Sequence, residues 1–443
     1  MASSTRIVIP ASDTGLWRGK QTDEAAKTVS DLLQEDLEKH HVFFNPSGFH
    51  NHLVHQLLTL YSTNASPSTI QSAYAANKTY QLSHIPTRPN VVHDLQTDWT
   101  AHAPSYLGRG KHYSDFLAFF QAEIDKHGWE AVIAEYLCAD TPKARDIVQR
   151  LFAGVVHPMI ELSYGLEFEQ PAIIAEGLAQ AAIHRNVMKE FYDKVDEAVA
   201  VVDQSGVEVK RRGLSEICEN IKRDHEKLAG SASWSDENRL YDGVLGRGLS
   251  DAVALCAQIR VTEGELEERV AEILHHNAYV AASAAWKPPH MPKYDFFLIH
   301  SLNSSPFLLS LNKECISTAA KIRIIEHKMR YDVVQYIARG VPPLSPSFIK
   351  KYVPEEKPVS KPEDLIPRFH KIIDDGHLIK VVRSLLLAQD VSRKWKGREW
   401  VRLDGEEDWI KAHYMLLKGV EGQETLWVRS SGFEEAWEGV AKL

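Results

Sequence analysis

Apolar residues recur at helical spacing along most of this chain, and almost nothing beside them reads as sheet. In "DEAAKTVSDLLQEDLEKHH" (23–41) Ala26, Val29, Leu32, Leu33 and Leu37 share one face of a helix. "SPSTIQSAYAANKTYQL" opens with Ser66 as an N-cap and Pro67 at the first helical position, where a missing N–H costs nothing. Further helices are expected over 113–126, 129–137, 143–155, 171–189, 213–228, 250–274, 313–339 and 362–389. Strands do not alternate with helices, which argues against a Rossmann or TIM framework, and no solenoid period shows. The expected fold class is therefore mostly α, with large helical domains packed around a buried site. Three regions are expected: an irregular N-terminal segment (1–22), a helical region (23–390) with a Pro-rich excursion at 340–367, and a C-terminal cap (391–443). The cap carries five of the ten tryptophans.

Charge and cysteine usage narrow the function classes. The net charge of −9 comes from 51 basic and 60 acidic residues scattered without a basic stripe, so nucleic acid is not an expected partner. Cys138, Cys218, Cys256 and Cys315 stand far apart with no CxxC pair, as reduced thiols of an intracellular, cytoplasmic protein do. The start, "MASSTRIVIPASD", lacks a signal-peptide core, and no run approaches the roughly 20 apolar residues of a membrane span. Cofactor boxes also fail. "GRGK" (108–111) has Ser105 where a phosphate loop begins with glycine and His112 where Ser or Thr should meet magnesium. "GVLGRG" (243–248) is not GxGxxG and follows no strand, and HExxH, HxD, HxE and GxSxG are all missing.

Histidine is the oddity, with 21 in the chain. "FHNHLVHQLL" (49–58) sets His50, Asn51, His52 and His55 into an apolar run. His52 and His55, three apart, share a helix face, so one can bind a metal while the other orients it or faces substrate. The plainer reading is a helix start whose polar side chains bond to backbone. In "GVVHPMIELSYGLEF" (154–168) Pro158 biases His157 away from the α conformation and leaves its ring at a helix junction. His184 ends the apolar run 171–186, and His300 follows Phe296, Phe297, Leu298 and Ile299. Singly, each suits a hydrogen-bonded core imidazole; together, one shared metal would satisfy several at once. Lys380 lies among Leu378, Ile379, Val381 and Val382. It either snorkels or pairs with Asp374 or Asp375, or it loses its proton and takes up carbon dioxide as a carbamate, with His377 beside it.

Six segments, taken in order, carry a resemblance: "GFHNHLVHQLLTLYSTNAS", "DFLAFFQAEIDKHG", "GVVHPMIELSYGLEFEQPAIIAEGLAQAAIH", "YDFFLIHSLNSS", "DDGHLIKVVRSL" and "SSGFEEAW". The chain resembles the questin oxidase-like family from about residue 23 onward. The family pattern often has a second histidine where Gln56 stands here. The resemblance implies an oxidoreductase of polyketide biosynthesis that oxidatively opens a ring of an anthraquinone. Within the family the likeness is to a non-heme-iron dioxygenase whose iron is held by four histidines and an N-carboxylated lysine. Carried over, the ligands of Fe(II) are His55, His157, His184, His300 and Lys380, with His52 as the rival of His55. His52, His377, Tyr164 and Phe297 then stand at the substrate or behind the ligands, and Phe296 and Trp286 are further candidate walls. Dioxygen is the implied co-substrate and a hydroquinone the implied substrate, with NADPH used by a separate reductase. The alternatives are an NADPH-dependent Baeyer–Villiger oxidase and a non-catalytic polyketide-binding protein.

Overall fold

A computed structural model describes residues 1–17, 19–205 and 211–442. Helices dominate and, among the described residues, pairing between extended segments is limited to isolated bridges, so the mostly α expectation holds. Contacts divide the chain into two units that interleave in sequence. The first comprises Met1–Met188, Pro306–Lys321 and Ile373–Arg383; the second comprises Lys189–Ser305, Ile322–Ile372 and Ser384–Leu443.

The first unit is organised on an antiparallel pair, His157–Glu167 and Pro171–Ile183, in which nearly every residue is buried. Glycine sets how closely the two approach. A β-carbon at Gly177 would lie 2.7 Å from the backbone of Leu162, and one at Gly165 would lie 2.7 Å from the Ile174 nitrogen. Tyr113–His127 packs on the second helix of the pair, and Leu53–Ser62 packs on the first. Asp23–Lys39 covers Leu53–Ser62, capped by the Thr22 hydroxyl, which accepts from the Ala25 N–H at 3.1 Å.

The second unit is built on Leu266–Ala284, Phe296–Ser304, Glu406–Val420 and the part of Thr318–Ala338 that follows Lys321. It buries a polar core in which Lys328 donates to Asp332 at 2.6 Å and Asn277 donates to Asp332 at 2.8 Å. Near the C-terminus Trp437 is buried, and its indole N–H donates to the Ser431 carbonyl at 2.9 Å.

Several expected helices are interrupted, 213–228 at His225 among them. The span 250–274 divides into Leu249–Cys256 and Leu266–Ala284 because Thr262 and Glu265 form a capping box that starts a new helix. The span 362–389 breaks at Asp374–Gly376, where Gly376 takes φ +91°. There the Asp374 carboxylate accepts from Gly376 and Leu378 N–H at 3.0 and 2.8 Å, which restarts the helix at His377.

Candidate metal centre

Four chain segments of the first unit bring histidines together, and each is held by its own local device. The loop before Leu53–Ser62 doubles back through a bridge between Phe43 and His50. Asn51 then ties its end down: its carbonyl oxygen accepts from Leu53 N–H at 3.0 Å, and its amide donates to Asp36 at 2.9 Å. His50, His52 and His55 are all buried.

The second segment is a turn in which Gly154, Val155 and Val156 all adopt left-handed backbone, at φ +54°, +54° and +59°. For two β-branched residues this is strained. The turn makes the reversal that Pro158 was expected to force on His157, so His157 itself is helical (φ −62°, ψ −38°). The expectation of a non-helical His157 is corrected accordingly. The turn also aims the Gly154 carbonyl at the ring, which accepts from His157 Nδ1–H at 2.7 Å. His184 forms the C-cap of Pro171–Ile183, and Arg150 donates to its carbonyl. His377 opens its helix behind the Asp374–Gly376 loop, with Nδ1 2.6 Å from Asp375 Oδ1. Gln56 secures that loop by donating to the Asp374 carbonyl at 3.0 Å, and this is the use the chain makes of the position where the family pattern often has histidine.

The rings converge closely. His52 Nε2 lies 2.9 Å from His157 Nε2, and His50 Nε2 lies 2.8 Å from His184 Nε2. His50 stacks on His157 with centroids 4.0 Å apart, and His52 meets His377 edge-on at 4.5 Å. One ligand nitrogen from each of His52, His157 and His377 falls within 4.8 Å of the others. Phe43 flanks both His50 and His184 at 5.4 Å. Burial holds the His52 imidazole well below its ordinary pKa, and nearby His377 and Lys380 lower it further. Burial, then Arg150, brings His184 to about 4. Neutral imidazoles are the form a metal binds.

The donor set fits a metal by two geometric tests. Two ligand atoms at right angles on an ion with bonds of about 2.1 Å stand about 3.0 Å apart, which matches the His52–His157 edge of 2.9 Å, while His377 closes the trio within 4.8 Å. Both His157 and His377 have Nδ1 bonded to a protein oxygen, the outer support that turns the other nitrogen of a metal-bound histidine toward its ion. Imidazole suits iron, zinc, copper and nickel alike, so the donors do not select among them.

Of the residues singled out by sequence, His52, His157 and His377 form the compact trio. His184 pairs with His50. His55 stands behind the trio, bonded through Nε2 to Glu161 at 2.5 Å, with Lys380 Nζ 3.5 Å from its Nδ1. Burial lowers the Lys380 amine to about 8, against the pull of Asp375, Asp374 and Glu161. Tyr164 stacks on the His55 ring at 5.8 Å. His300, Phe297, Phe296 and Trp286 belong to the second unit. There His300 Nδ1–H donates to the Phe296 carbonyl at 2.5 Å, Phe297 carries the Arg339 guanidinium 4.0 Å over its face, and Trp286 meets Tyr352 edge-on. Sequence reasoning passed over Glu161, Asp375 as the partner of His377, and Phe43. A signal existed for Glu161, an acid one helical turn after His157 in an otherwise apolar helix.

A family model described as questin oxidase-like matches residues 49–385, a stretch that contains every histidine of the cluster. The chain is 33% identical over 454 aligned positions to a protein of Pestalotiopsis fici named Baeyer–Villiger oxidase ptaJ, with both chains covered completely. It is 32% identical over 454 positions to a questin oxidase of Aspergillus terreus, covering 100% of this chain and 99% of that one. With a questin oxidase of Aspergillus fumigatus the identity is 31% over 434 positions, 96% of each.

Proposed function

This chain belongs to the questin oxidase-like family, and from that membership and the histidine cluster we propose that it is an iron-dependent dioxygenase that cleaves a ring carbon–carbon bond of an anthraquinone, taken up as its hydroquinone. The observation that carries the metal part of the reading is the convergence of His52, His157 and His377 with two of the three rings braced from behind. Iron(II) held there would supply oxygen activation and a path for electrons from an electron-rich aromatic. The setting is a polyketide pathway in the cytoplasm, with a separate NADPH-using reductase preparing the hydroquinone. Among the described residues no helix is long and apolar enough to cross a membrane.

The chain's own residues then divide the work. His52, His157 and His377 hold the metal, and Lys380, carboxylated on its amine, adds an anionic oxygen that imidazoles lack. His50 and His184, neutral and flanked by Phe43, offer nitrogen acceptors to phenolic hydroxyls and orient a flat substrate. Burial of these rings keeps water from competing at the reacting carbons.

Relatives named Baeyer–Villiger oxidases support a second reading, in which one oxygen atom enters beside a ring carbonyl at the expense of NADPH. The hydroquinone of questin, prepared chemically and freed of reductant, and in parallel questin with NADPH, each under ¹⁸O₂ and followed by mass spectrometry, separate the two. About one iron per chain and two labelled oxygens in the product are expected. One labelled oxygen, NADPH consumption and full activity after metal removal would replace the dioxygenase by the second reading.

A further inference from the structure

The helix His157–Glu167 turns His157, Glu161 and Tyr164 toward one side, at steps of four and three residues. His157 belongs to the metal trio, and the other two meet His55. Glu161 Oε2 lies 2.5 Å from His55 Nε2. The Tyr164 ring lies 17° from parallel with the imidazole. Its hydroxyl and Thr59 Oγ1 are 2.5 Å apart, and Thr59 donates in turn to the His55 carbonyl at 2.6 Å. The ring of His55 is thus fixed in position on its edge and on its face. Its Nδ1 faces Lys380 Nζ at 3.5 Å. Glu161, His55 and Lys380 are all at most 3% exposed, so bulk water does not stand in for any of them.

We infer that Glu161 and His55 are a positioning pair for Lys380: the carboxylate sets the orientation of the imidazole, and the imidazole sets where the lysine amine points. Acid, imidazole and nucleophile in that order is the logic of a hydrolase triad, here with a primary amine as third member. Glu161 braces one nitrogen of His55 and the other faces Lys380 Nζ at 3.5 Å, so the imidazole stands between the carboxylate and the amine. The inference rests on the proposed metal site only for what the amine finally takes up. A small linear electrophile that resembles carbon dioxide tests where the amine points.

Cyanate is such a probe. Isocyanic acid adds across a lysine amine: the nitrogen–carbon bond forms, the amine proton passes to the cyanate nitrogen, and a urea results with nothing oxidised or reduced. The full chain, dialysed against chelator in bicarbonate-free buffer, is treated with cyanate, and Lys380 modification is followed by peptide mass spectrometry. Lys328, equally buried but paired with Asp332 in the second unit, is the internal reference. Wild-type Lys380 is expected to react at least tenfold faster than Lys328. Glu161→Gln and His55→Asn are expected to lower the Lys380 rate tenfold or more, and Glu176→Gln to leave it within twofold. Glu176 is a second buried acid that lines a small cavity together with Glu161, so general loosening of the core would show in that variant too. An unchanged Lys380 rate in Glu161→Gln, or a wild-type rate no faster than that of Lys328, overturns the pairing. Should either variant fail to fold, the other tests the pair from its opposite end, and the wild-type comparison stands regardless. Iron content, measured on untreated wild-type protein, judges the metal reading separately. A metal-free protein that keeps the Glu161 effect would sink the metal and spare the pair.

Discussion

Gly154 is where the cluster is most sensitive to a single carbon atom. A β-carbon there would stand 2.5 Å from His184 Cε1, 2.7 Å from His184 Nε2 and 2.8 Å from His50 Cε1. His184 has little room to retreat, because Arg150 holds its carbonyl and Phe43 lies against its ring. The left-handed backbone at φ +54° costs an L-residue about 1–2 kcal/mol. Forcing an atom into a packed interior costs about 1–3 kcal/mol more. Gly154→Ala is therefore expected to lose about 2–5 kcal/mol of stability and, by shifting the Gly154 carbonyl that braces His157, to weaken metal binding as well. Val155 offers the opposite experiment. It shares the left-handed backbone, yet it is only partly buried, so Val155→Gly sheds the backbone cost and gives up little apolar burial. A gain of up to about 1 kcal/mol is expected there, whereas Val→Gly in extended backbone destabilises. Urea denaturation of the full chain, read as a midpoint shift at constant slope, measures both, and chelator competition measures the metal. Wild-type stability in Gly154→Ala, or a loss above about 1 kcal/mol in Val155→Gly, would refute the claim that this turn is strained around the rings.

Other perturbations have equally definite signs. His157→Ala and His377→Ala should abolish stoichiometric metal, and Asp375→Asn should weaken it about 10–100-fold by removing the oxygen behind His377, all by chelator titration. Gly177→Ala should cost about 3 kcal/mol by denaturant midpoint, because its β-carbon meets Leu162 backbone, which cannot swing aside. In the second unit His275 Nε2 accepts from Arg402 N–H at 2.8 Å and from Leu403 N–H at 3.2 Å, so a proton on that nitrogen has no place. Burial, then Arg402, brings its pKa to about 3, below the ordinary 6.5. The unfolded chain therefore takes the proton first. The stability His275 contributes is complete above about pH 6.5 and falls by up to about 1.4 kcal/mol per unit as pH drops toward 3. His275→Gln, which keeps an acceptor but cannot titrate, should flatten that part of the stability-against-pH curve; parallel curves would count against it.

What the sequence disclosed depended on the range over which each signal acts. Helix faces, the Pro67 start and the apolar burial of Lys380 are set by neighbours within a turn or two, so they read directly. The interruptions at Thr262–Glu265 and Asp374–Gly376 were also legible, as a capping box and as an Asp-Asp-Gly stop, but a continuous apolar period masked them. Nothing in the composition marks the points, near 188, 305, 321, 372 and 383, where the chain passes from one unit to the other: two of them, 321 and 383, fall inside continuous helices, and the other three fall in short connections like those within a unit. His52 and His55 are told apart by partners a hundred or more residues away, His157 for one and Glu161 for the other, and no local pattern encodes such pairings.

The helix His157–Glu167 explains why these side chains occur together. Gly165 lets Pro171–Ile183 approach one side of it closely, Leu53–Ser62 packs on another, and nearly every residue of the helix is buried. A dry face makes unpaired polar groups expensive, so each one it carries must be matched by another. His157 is matched by Gly154 behind and His52 in front, Glu161 by His55, and the Tyr164 hydroxyl by Thr59. Those three partners in front, at positions 52, 55 and 59, lie at the start and along one side of a single opposing helix. The spacing 157, 161, 164 therefore answers the spacing 52, 55, 59, and the two segments specify each other. A substitution on either side should be judged by the partner it strands. That is why Glu161→Gln, which can still bond to an imidazole, separates lost orientation from lost packing better than Glu161→Ala, which leaves His55 without its acceptor in a site that water does not reach.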